Sequence, residues 1–186
     1  MGGGLVDPEW VLTAAHCVCG ENDYPAFEIG ANCQNDCVGD AGVPDSEIIG
    51  TEETIIHPNY NPPVYGQDND FVLVKLQAKA SATPVPMDLG GTVTTYNANS
   101  KLWVIGFGNP NANGYYPNRI KHVEVSFVPL GTCNVNYSNS ITDNMMCAAD
   151  PKQDSCQGDS GGPLYDAAND ILVRLQYNCV QLPSLV

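Results

Sequence analysis

Residues 154–164 read DSCQGDSGGPL, a stretch in which Ser160 lies between an acidic residue and two glycines. A serine hydroxyl is a poor nucleophile unless a base removes its proton, and a carbonyl under attack needs N–H donors aimed at the developing oxyanion. The glycines allow a backbone turn that presents the N–H groups of Gly158 and Ser160 to one point. Taken alone, the stretch is explained equally well as a glycine-rich turn with a surface serine.

Two further motifs supply the groups that such a serine needs. TAAHC at 13–17 places His16 at the end of the apolar run WVLTAA, and DNDFVLVKL at 68–76 places Asp70 directly before an apolar strand. A carboxylate in that position can be buried and can orient an imidazole. Individually, a histidine after a strand is more often structural, and an aspartate before a strand is most often a turn residue.

The pattern of apolar residues along the chain predicts an all-β fold, because short alternating or apolar runs recur between Gly, Pro and Asn clusters. The clearest alternation is HVEVSFV at 122–128, which places Val123, Val125 and Phe127 on one face. Other predicted strands are 27–30, 47–50, 53–57, 71–76 and 102–108. Short helices are predicted at AAHC (14–17) and LGTCNVNY (130–137). The segment 77–100 has little periodicity and is predicted to link two β units.

The composition narrows the range of partners. The 186 residues include seven Lys and Arg and 21 Asp and Glu, which gives a net charge of −14. This charge repels phosphate backbones and anionic lipids, so neither nucleic acid nor a membrane surface is a predicted partner. No basic segment followed by an apolar one begins the chain, so no secretory signal is visible in it.

The cysteine content favours an oxidising compartment. There are eight cysteines, an even number, at positions 17, 19, 33, 37, 133, 147, 156 and 179. The tripeptide Asn136-Tyr137-Ser138 is also an N-glycosylation sequon, which is weak by itself but agrees with secretion. We therefore predict an extracellular protein.

With the three motifs in the order His, Asp, Ser, the chain resembles the trypsin and chymotrypsin family of serine proteases, trypsin-like subgroup. The resemblance covers nearly the whole chain, through GGGLVDPEWVLTAAHC, HPNYN, DNDFVLVKL, WVIGFG, CNVNYSNSITDNMMC and DSCQGDSGGP. It implies an all-β fold of two antiparallel six-stranded Greek-key barrels, incomplete at both termini. The chain 1–186 would be one truncated domain, with an N-terminal barrel at about 1–90 and a C-terminal barrel at about 91–186.

The resemblance also assigns roles at the matching positions. His16 would be the general base and later the acid, Asp70 its orienter, and Ser160 the nucleophile that forms an acyl-enzyme. The N–H groups of Gly158 and Ser160 would form the oxyanion hole. Asp154 would lie at the base of the specificity pocket and select protein or peptide substrates with Arg or Lys before the scissile bond. The alternative for Asp154 is a solvent-exposed loop residue.

The ends of the chain depart from the family pattern. Met1 stands where the family has the cysteine that pairs with the one after the histidine, here Cys17. Asp159, which in the activated family pairs with the ammonium of a cleaved amino terminus, would lack that partner, and an uncompensated buried charge is costly. After Val173 no Ser-aromatic-Gly segment follows, which points to an error in the gene model. The expectation is a zymogen-like chain of low activity.

For the cysteines, the resemblance implies a Cys133–Cys147 disulfide. In the family, Cys156 pairs with a cysteine just past the Ser-aromatic-Gly segment, which forms one wall of the specificity pocket. Cys179 lies at a suitable distance for that role, although its surroundings do not match. Cys33 and Cys37 could close a small loop, which leaves Cys17 and Cys19 unassigned. Zinc binding by the four N-terminal cysteines is the minor alternative. No cofactor or metal is predicted, since Ala31 replaces the glutamate of relatives that bind calcium.

Three functional classes follow. The first is a secreted, monomeric serine endopeptidase. The second is a non-catalytic protease homologue that binds proteins, although such relatives commonly lose a triad residue and this chain keeps all three. The third is a short isoform that does not fold stably.

Overall fold

The structure is a computed structural model that describes residues 1–18, 26–34, 46–60, 68–88, 96–98, 100–109, 114–151 and 157–176. In these residues ten strands alternate with short connections, and two short helices accompany them. The strands are β1 Gly4–Asp7, β2 Trp10–Thr13, β3 Ala26–Ile29, β4 Glu47–Ile56, β5 Val72–Leu76, β6 Lys101–Gly106, β7 Lys121–Val128, β8 Cys147–Ala148, β9 Pro163–Asp166 and β10 Ile171–Leu175. The helices are α1 Ala15–Val18 and α2 Leu130–Asn136. Neither helix is long and apolar enough to cross a membrane.

The first five strands form one antiparallel sheet in the order β1-β2-β5-β4-β3. Alternate residues of β5 are buried, as the period of a half-buried strand requires. The core of this sheet consists of Val11, Ala15, Ile29, Ile49, Val72, Val74, Leu76 and Ala80. The apolar face of each strand therefore packs inward and fixes the register of its neighbours.

The last five strands form a second antiparallel sheet in the order β10-β9-β6-β7-β8. Its core consists of Leu102, Val104, Val125, Leu164, Ile171 and Val173. The partly buried Val123 and Phe127 pack against this cluster, so the predicted alternation of 122–128 is confirmed. Two core clusters thus lie in the first sheet and one lies in the second.

Most predicted elements are present, and the all-β class is confirmed. The runs 47–50 and 53–57 were predicted as two strands, whereas the structure has the single strand β4 with an irregularity between Thr51 and Glu53. An extra residue in one strand of a pair interrupts the apolar alternation without ending the strand. Both predicted short helices form. The described residues contribute five strands to each sheet, against six per barrel expected, and the barrel boundary near residue 90 stays a prediction.

The register of the first sheet determines where the candidate site lies. β2 and β5 are antiparallel and pair Thr13 with Val72, so the end of β2 adjoins the start of β5. His16 follows β2 within α1, and Asp70 comes shortly before β5. The two residues therefore lie at the same end of two neighbouring strands.

Candidate active site

Asp70 holds His16 through two hydrogen bonds. Asp70 Oδ2 lies 2.5 Å from His16 Nδ1, and Asp70 Oδ1 accepts a hydrogen bond from the backbone N–H of His16 at 2.8 Å. The carboxylate side chain is 6% exposed and the imidazole is 23% exposed. The Asp70 carboxylate, bonded at both oxygens, fixes the orientation of the ring, and the catalytic roles of the two residues stay predictions.

A tight turn places Asp70 in this position. Asn69 has a φ of 59°, a left-handed conformation that asparagine tolerates better than most residues. Its backbone N–H donates to Asp68 Oδ1 at 3.0 Å, and the N–H of Phe71 donates to the carbonyl of Asn69 at 2.8 Å. The sequence DND thus forms a local turn that directs the carboxylate of its third residue, Asp70, toward α1.

The pKa of His16 is raised from 6.5 to about 9. The hydrogen bond with Asp70 is the largest cause, and a contact with the Cys17 thiol also raises this pKa, while burial lowers it. An adjacent carboxylate favours the charged imidazolium because the two charges attract at short distance. The imidazole therefore stays protonated to a higher pH than an isolated histidine.

Cys17 contacts both His16 and the turn that carries Ser160. Its sulfur lies 3.5 Å from His16 Nε2 and 3.6 Å from the carbonyl oxygen of Ser160. The thiol is free and half-buried. The sequence left Cys17 unassigned and gave no sign of this contact, because the direction of the side chain depends on the first turn of α1.

We predict that His16 titrates with a midpoint near pH 9 and that Cys17→Ala lowers this midpoint, since one of the two raising hydrogen bonds is lost. Because the folded pKa exceeds the unfolded value of 6.5, the stabilisation is complete below pH 6.5 and is lost as pH rises through about 9. NMR titration of the imidazole resonances, assigned with a His16→Gln variant, measures both midpoints. An unchanged midpoint in Cys17→Ala would contradict the role given to the thiol.

The turn that carries Ser160 packs directly on the segment that carries His16. The carbonyl of Ser160 accepts a hydrogen bond from Gly2 N at 2.9 Å, and Thr13 Oγ1 donates to the carbonyl of Gly2 at 2.7 Å. Gly161 has a φ of 80°, and a Cβ there would overlap Thr13 Oγ1. Only glycine fits a backbone that is both left-handed and this close to its neighbour.

Position 158 also requires a glycine. Its φ is 105°, a region that side chains other than glycine's rarely adopt, and a Cβ there would lie 3.0 Å from the ring of Tyr116. Its carbonyl accepts a hydrogen bond from the amino-terminal ammonium of Met1 at 2.8 Å. The glycines on both sides of Ser160 therefore form the turn expected from the sequence.

Asp159 is buried in a cradle of glycines. The residue is 7% exposed, and its Oδ1 accepts a hydrogen bond from the N–H of Gly108 at 2.7 Å. Cβ atoms on Gly106 or Gly108 would overlap the carboxylate. The two glycines of WVIGFG thus make room for this carboxylate.

Several predicted residues lie outside the described part of the chain. Among them are Asp154 and the cysteines 19, 37, 156 and 179. The Cys133–Cys147 disulfide is confirmed, with the two Cα atoms 6.4 Å apart. Cys33 is disulfide-bonded, and its pairing with Cys37 stays a prediction. The described residues contain no cluster of three or more His, Cys, Asp or Glu side chains that could hold a metal ion.

Comparisons with known proteins agree with this geometry. The family model "Trypsin" matches residues 1–179. The chain is 32% identical over 181 residues to the urokinase-type plasminogen activator of Gallus gallus, covering 88% of this chain and 40% of that protein. It is 29% identical over 184 residues to trypsin-3 of Salmo salar, covering 97% of this chain and 73% of that protein.

Among solved structures, the chain is similar to neuropsin, a serine protease expressed in the limbic system of mouse brain. The TM-score is 0.76 with 28% identity, over 91% of this chain and 72% of the neuropsin chain. The two antiparallel five-stranded sheets are those of the chymotrypsin-like class of fold. Within that class, the chain belongs to the trypsin family of serine proteases.

Proposed function

We propose that this chain is a serine endopeptidase that hydrolyses peptide bonds after Arg or Lys by means of His16, Asp70 and Ser160. The observation that carries the proposal is the 2.5 Å contact between Asp70 Oδ2 and His16 Nδ1. Because Nδ1 is bonded to Asp70, Nε2 is the ring nitrogen that would exchange protons with Ser160 and the substrate. Family membership supports the reaction class. The chain spans 40% of the length of the urokinase-type relative, so the proposal concerns this domain alone.

In the proposed reaction, Ser160 Oγ attacks the scissile carbonyl while His16 Nε2 accepts its proton. The same imidazolium then donates that proton to the leaving amine, which leaves an acyl-enzyme on Ser160. A water molecule, deprotonated by Nε2, hydrolyses the ester. The N–H groups of Gly158 and Ser160 would donate to the oxyanion in both steps, and loss of one such donor typically costs about 10² to 10³ in rate.

The raised pKa of His16 has a consequence for this reaction. Only the neutral imidazole can accept the serine proton, and a pKa of about 9 keeps it charged at neutral pH. The proposal therefore includes activity that rises with pH up to about 9. The Cys17 thiol, which contacts Nε2, would lower activity at neutral pH.

A fluorophosphonate probe tests the proposal, because such probes react with a serine only when a neighbouring base activates it. Labelling at Ser160, identified by peptide mapping and increasing from pH 7 toward pH 9, would support the enzyme. A folded chain that stays unlabelled over this range would contradict the proposal, and would agree with either the zymogen-like state expected from the sequence or the non-catalytic homologue. Comparison of hydrolysis with Arg, Lys, Phe and Leu before the scissile bond tests the specificity.

We predict that Asp154→Asn lowers kcat/KM for substrates with Arg before the scissile bond by about 10² to 10³, since an ion pair in a desolvated pocket is lost. Substrates with Phe or Leu at that position should be little affected. Asp143→Asn, at an exposed aspartate, is the matched control. If Asp154→Asn keeps the preference for Arg, Asp154 does not lie in the specificity pocket and is instead a solvent-exposed loop residue.

We also propose that the protein is extracellular. The Cys133–Cys147 disulfide and the disulfide-bonded Cys33 support this, because disulfides persist in oxidising compartments and are rare in the cytosol. The similarity of the chain to a trypsin and to a plasminogen activator also supports this proposal.

A further inference from the structure

The sequon Asn136-Tyr137-Ser138 lies at an exposed corner of the second half of the chain. It is the one Asn-X-Ser/Thr sequence among the 186 residues. Asn136 is the last residue of α2 and is exposed, and Ser138 is exposed in the turn that follows. Both residues that an N-glycosylating enzyme must recognise are therefore accessible on the folded surface.

The corner is held by its own hydrogen bonds. The N–H of Asn139 donates to the carbonyl of Asn134 at 3.0 Å, and the Asn134 side chain bonds both the N–H and the carbonyl of Ile141. Ser138 and Asn139 have positive φ values of 53° and 60°. The chain therefore turns sharply after α2 and leaves the sequon projecting outward.

The Cys133–Cys147 disulfide joins α2 to strand β8 of the second sheet. Cys133 is fully buried and is bonded to Cys147 at the start of β8. A chain that forms this disulfide has passed through an oxidising compartment, and in eukaryotes N-glycosylation takes place in the same compartment. The conditions for modification thus coincide with those for folding.

We propose that Asn136 carries an N-linked glycan. In the transfer, Asn136 Nδ2 forms a bond to C1 of the first sugar of a lipid-pyrophosphate-linked oligosaccharide. The bond between that sugar and the pyrophosphate breaks, the lipid pyrophosphate leaves with the electron pair, and Nδ2 loses one proton. The proposal rests on the proposed extracellular location and is independent of peptidase activity.

The glycan would cover an unfavourable surface feature. Val135, the residue before the acceptor, is 81% exposed, although valine is usually buried. A bulky hydrated sugar next to this side chain would shield it from other molecules. The modification therefore contributes to solubility at the end of α2 without a contact to the candidate site.

The test uses the full chain behind a cleavable signal sequence, translated with microsomes and also secreted from a eukaryotic cell. Wild type and Ser138→Thr should show a mobility shift that an N-glycan-releasing amidase reverses. Asn136→Gln and Ser138→Ala should lack the shift, and Asn139→Gln is the matched control that keeps it. Mass spectrometry should find aspartate at position 136 after enzymatic release.

Protease protection in the microsomes identifies the chains that entered the lumen, whether or not they later fold. Protected wild-type chains without a glycan would overturn the proposal, as would an unchanged shift in Asn136→Gln. Because the readout is mass rather than proteolysis, either result leaves the proposed peptidase function unaffected.

Discussion

Replacement of Ser160 by alanine should abolish fluorophosphonate labelling and lower kcat for peptide hydrolysis by about 10⁶, as in other serine proteases that lose their nucleophile. The variant removes one oxygen from a half-buried position and leaves the turn intact, because the Ser160 carbonyl still accepts the Gly2 N–H. The titration of His16 should keep its raised midpoint, since Asp70 and Cys17 remain in place.

Ser140→Ala is the matched control, because this serine is exposed and its backbone N–H donates to the carbonyl of Tyr137. Its activity and labelling should equal those of wild type. Activity retained in Ser160→Ala would show that another group is the nucleophile, and Cys17 would then be the first to test, since its sulfur lies 3.5 Å from His16 Nε2.

The sequence predicted the strands whose burial pattern is simple. The sequence of β7 alternates apolar and polar residues, and β5 follows DND with alternate buried residues, so period-two reasoning located both. The sequence divided β4 because Gly50 and Thr51 interrupt its apolar pattern, whereas in the structure its first residues pair with β3 and its later residues pair with β5 across the irregularity. Register with a neighbour is a tertiary property that a single strand's sequence does not contain.

The shortest strands were harder to locate from the sequence. β8 has two residues, Cys147 and Ala148, which is too few for any period to show. β9 begins at Pro163, and a proline can begin a strand although it cannot donate within one. These strands are specified by the sheet to which they pair.

The candidate site was predictable where it depends on strand ends. His16 and Asp70 meet because β2 and β5 are neighbours, and their apolar sequences predict two strands that end near polar residues. The Cys17 contact with Nε2 was not predicted, because the sequence suggested only a missing disulfide partner. Its consequence, a further rise in the pKa of His16, comes from the three-dimensional arrangement alone.

Replacement of Asp70 by asparagine should lower kcat by about 10⁴ with the fold retained, the effect of the same substitution in the template triad of this family. Asp70 Oδ1 accepts from the backbone N–H of His16 at 2.8 Å, and Oδ2 accepts from the ring Nδ1 at 2.5 Å. Asparagine has one acceptor and one donor group in place of two acceptors. If its oxygen keeps the backbone bond, its amide N–H faces Nδ1.

Nδ1 must then act as an acceptor, so the ring proton moves to Nε2. A protonated Nε2 has no lone pair with which to accept the proton of Ser160, and the nucleophile is not activated. The variant also loses the largest cause of the raised pKa, so the His16 midpoint should fall from about 9 toward 6.5. The stabilisation that the charged imidazole provides is lost with it.

Asp68→Asn is the matched control, since this carboxylate belongs to the same turn but bonds Asn69 N and the Asn144 side chain. It should keep the His16 midpoint and most of kcat. NMR of the ring nitrogens in Asp70→Asn should show the proton on Nε2, and pre-steady-state labelling should be slow at every pH. If Asp70→Asn has the kcat of wild type, the tautomer of His16 does not matter for the reaction. The two hydrogen bonds between Asp70 and His16 would then have a structural role only.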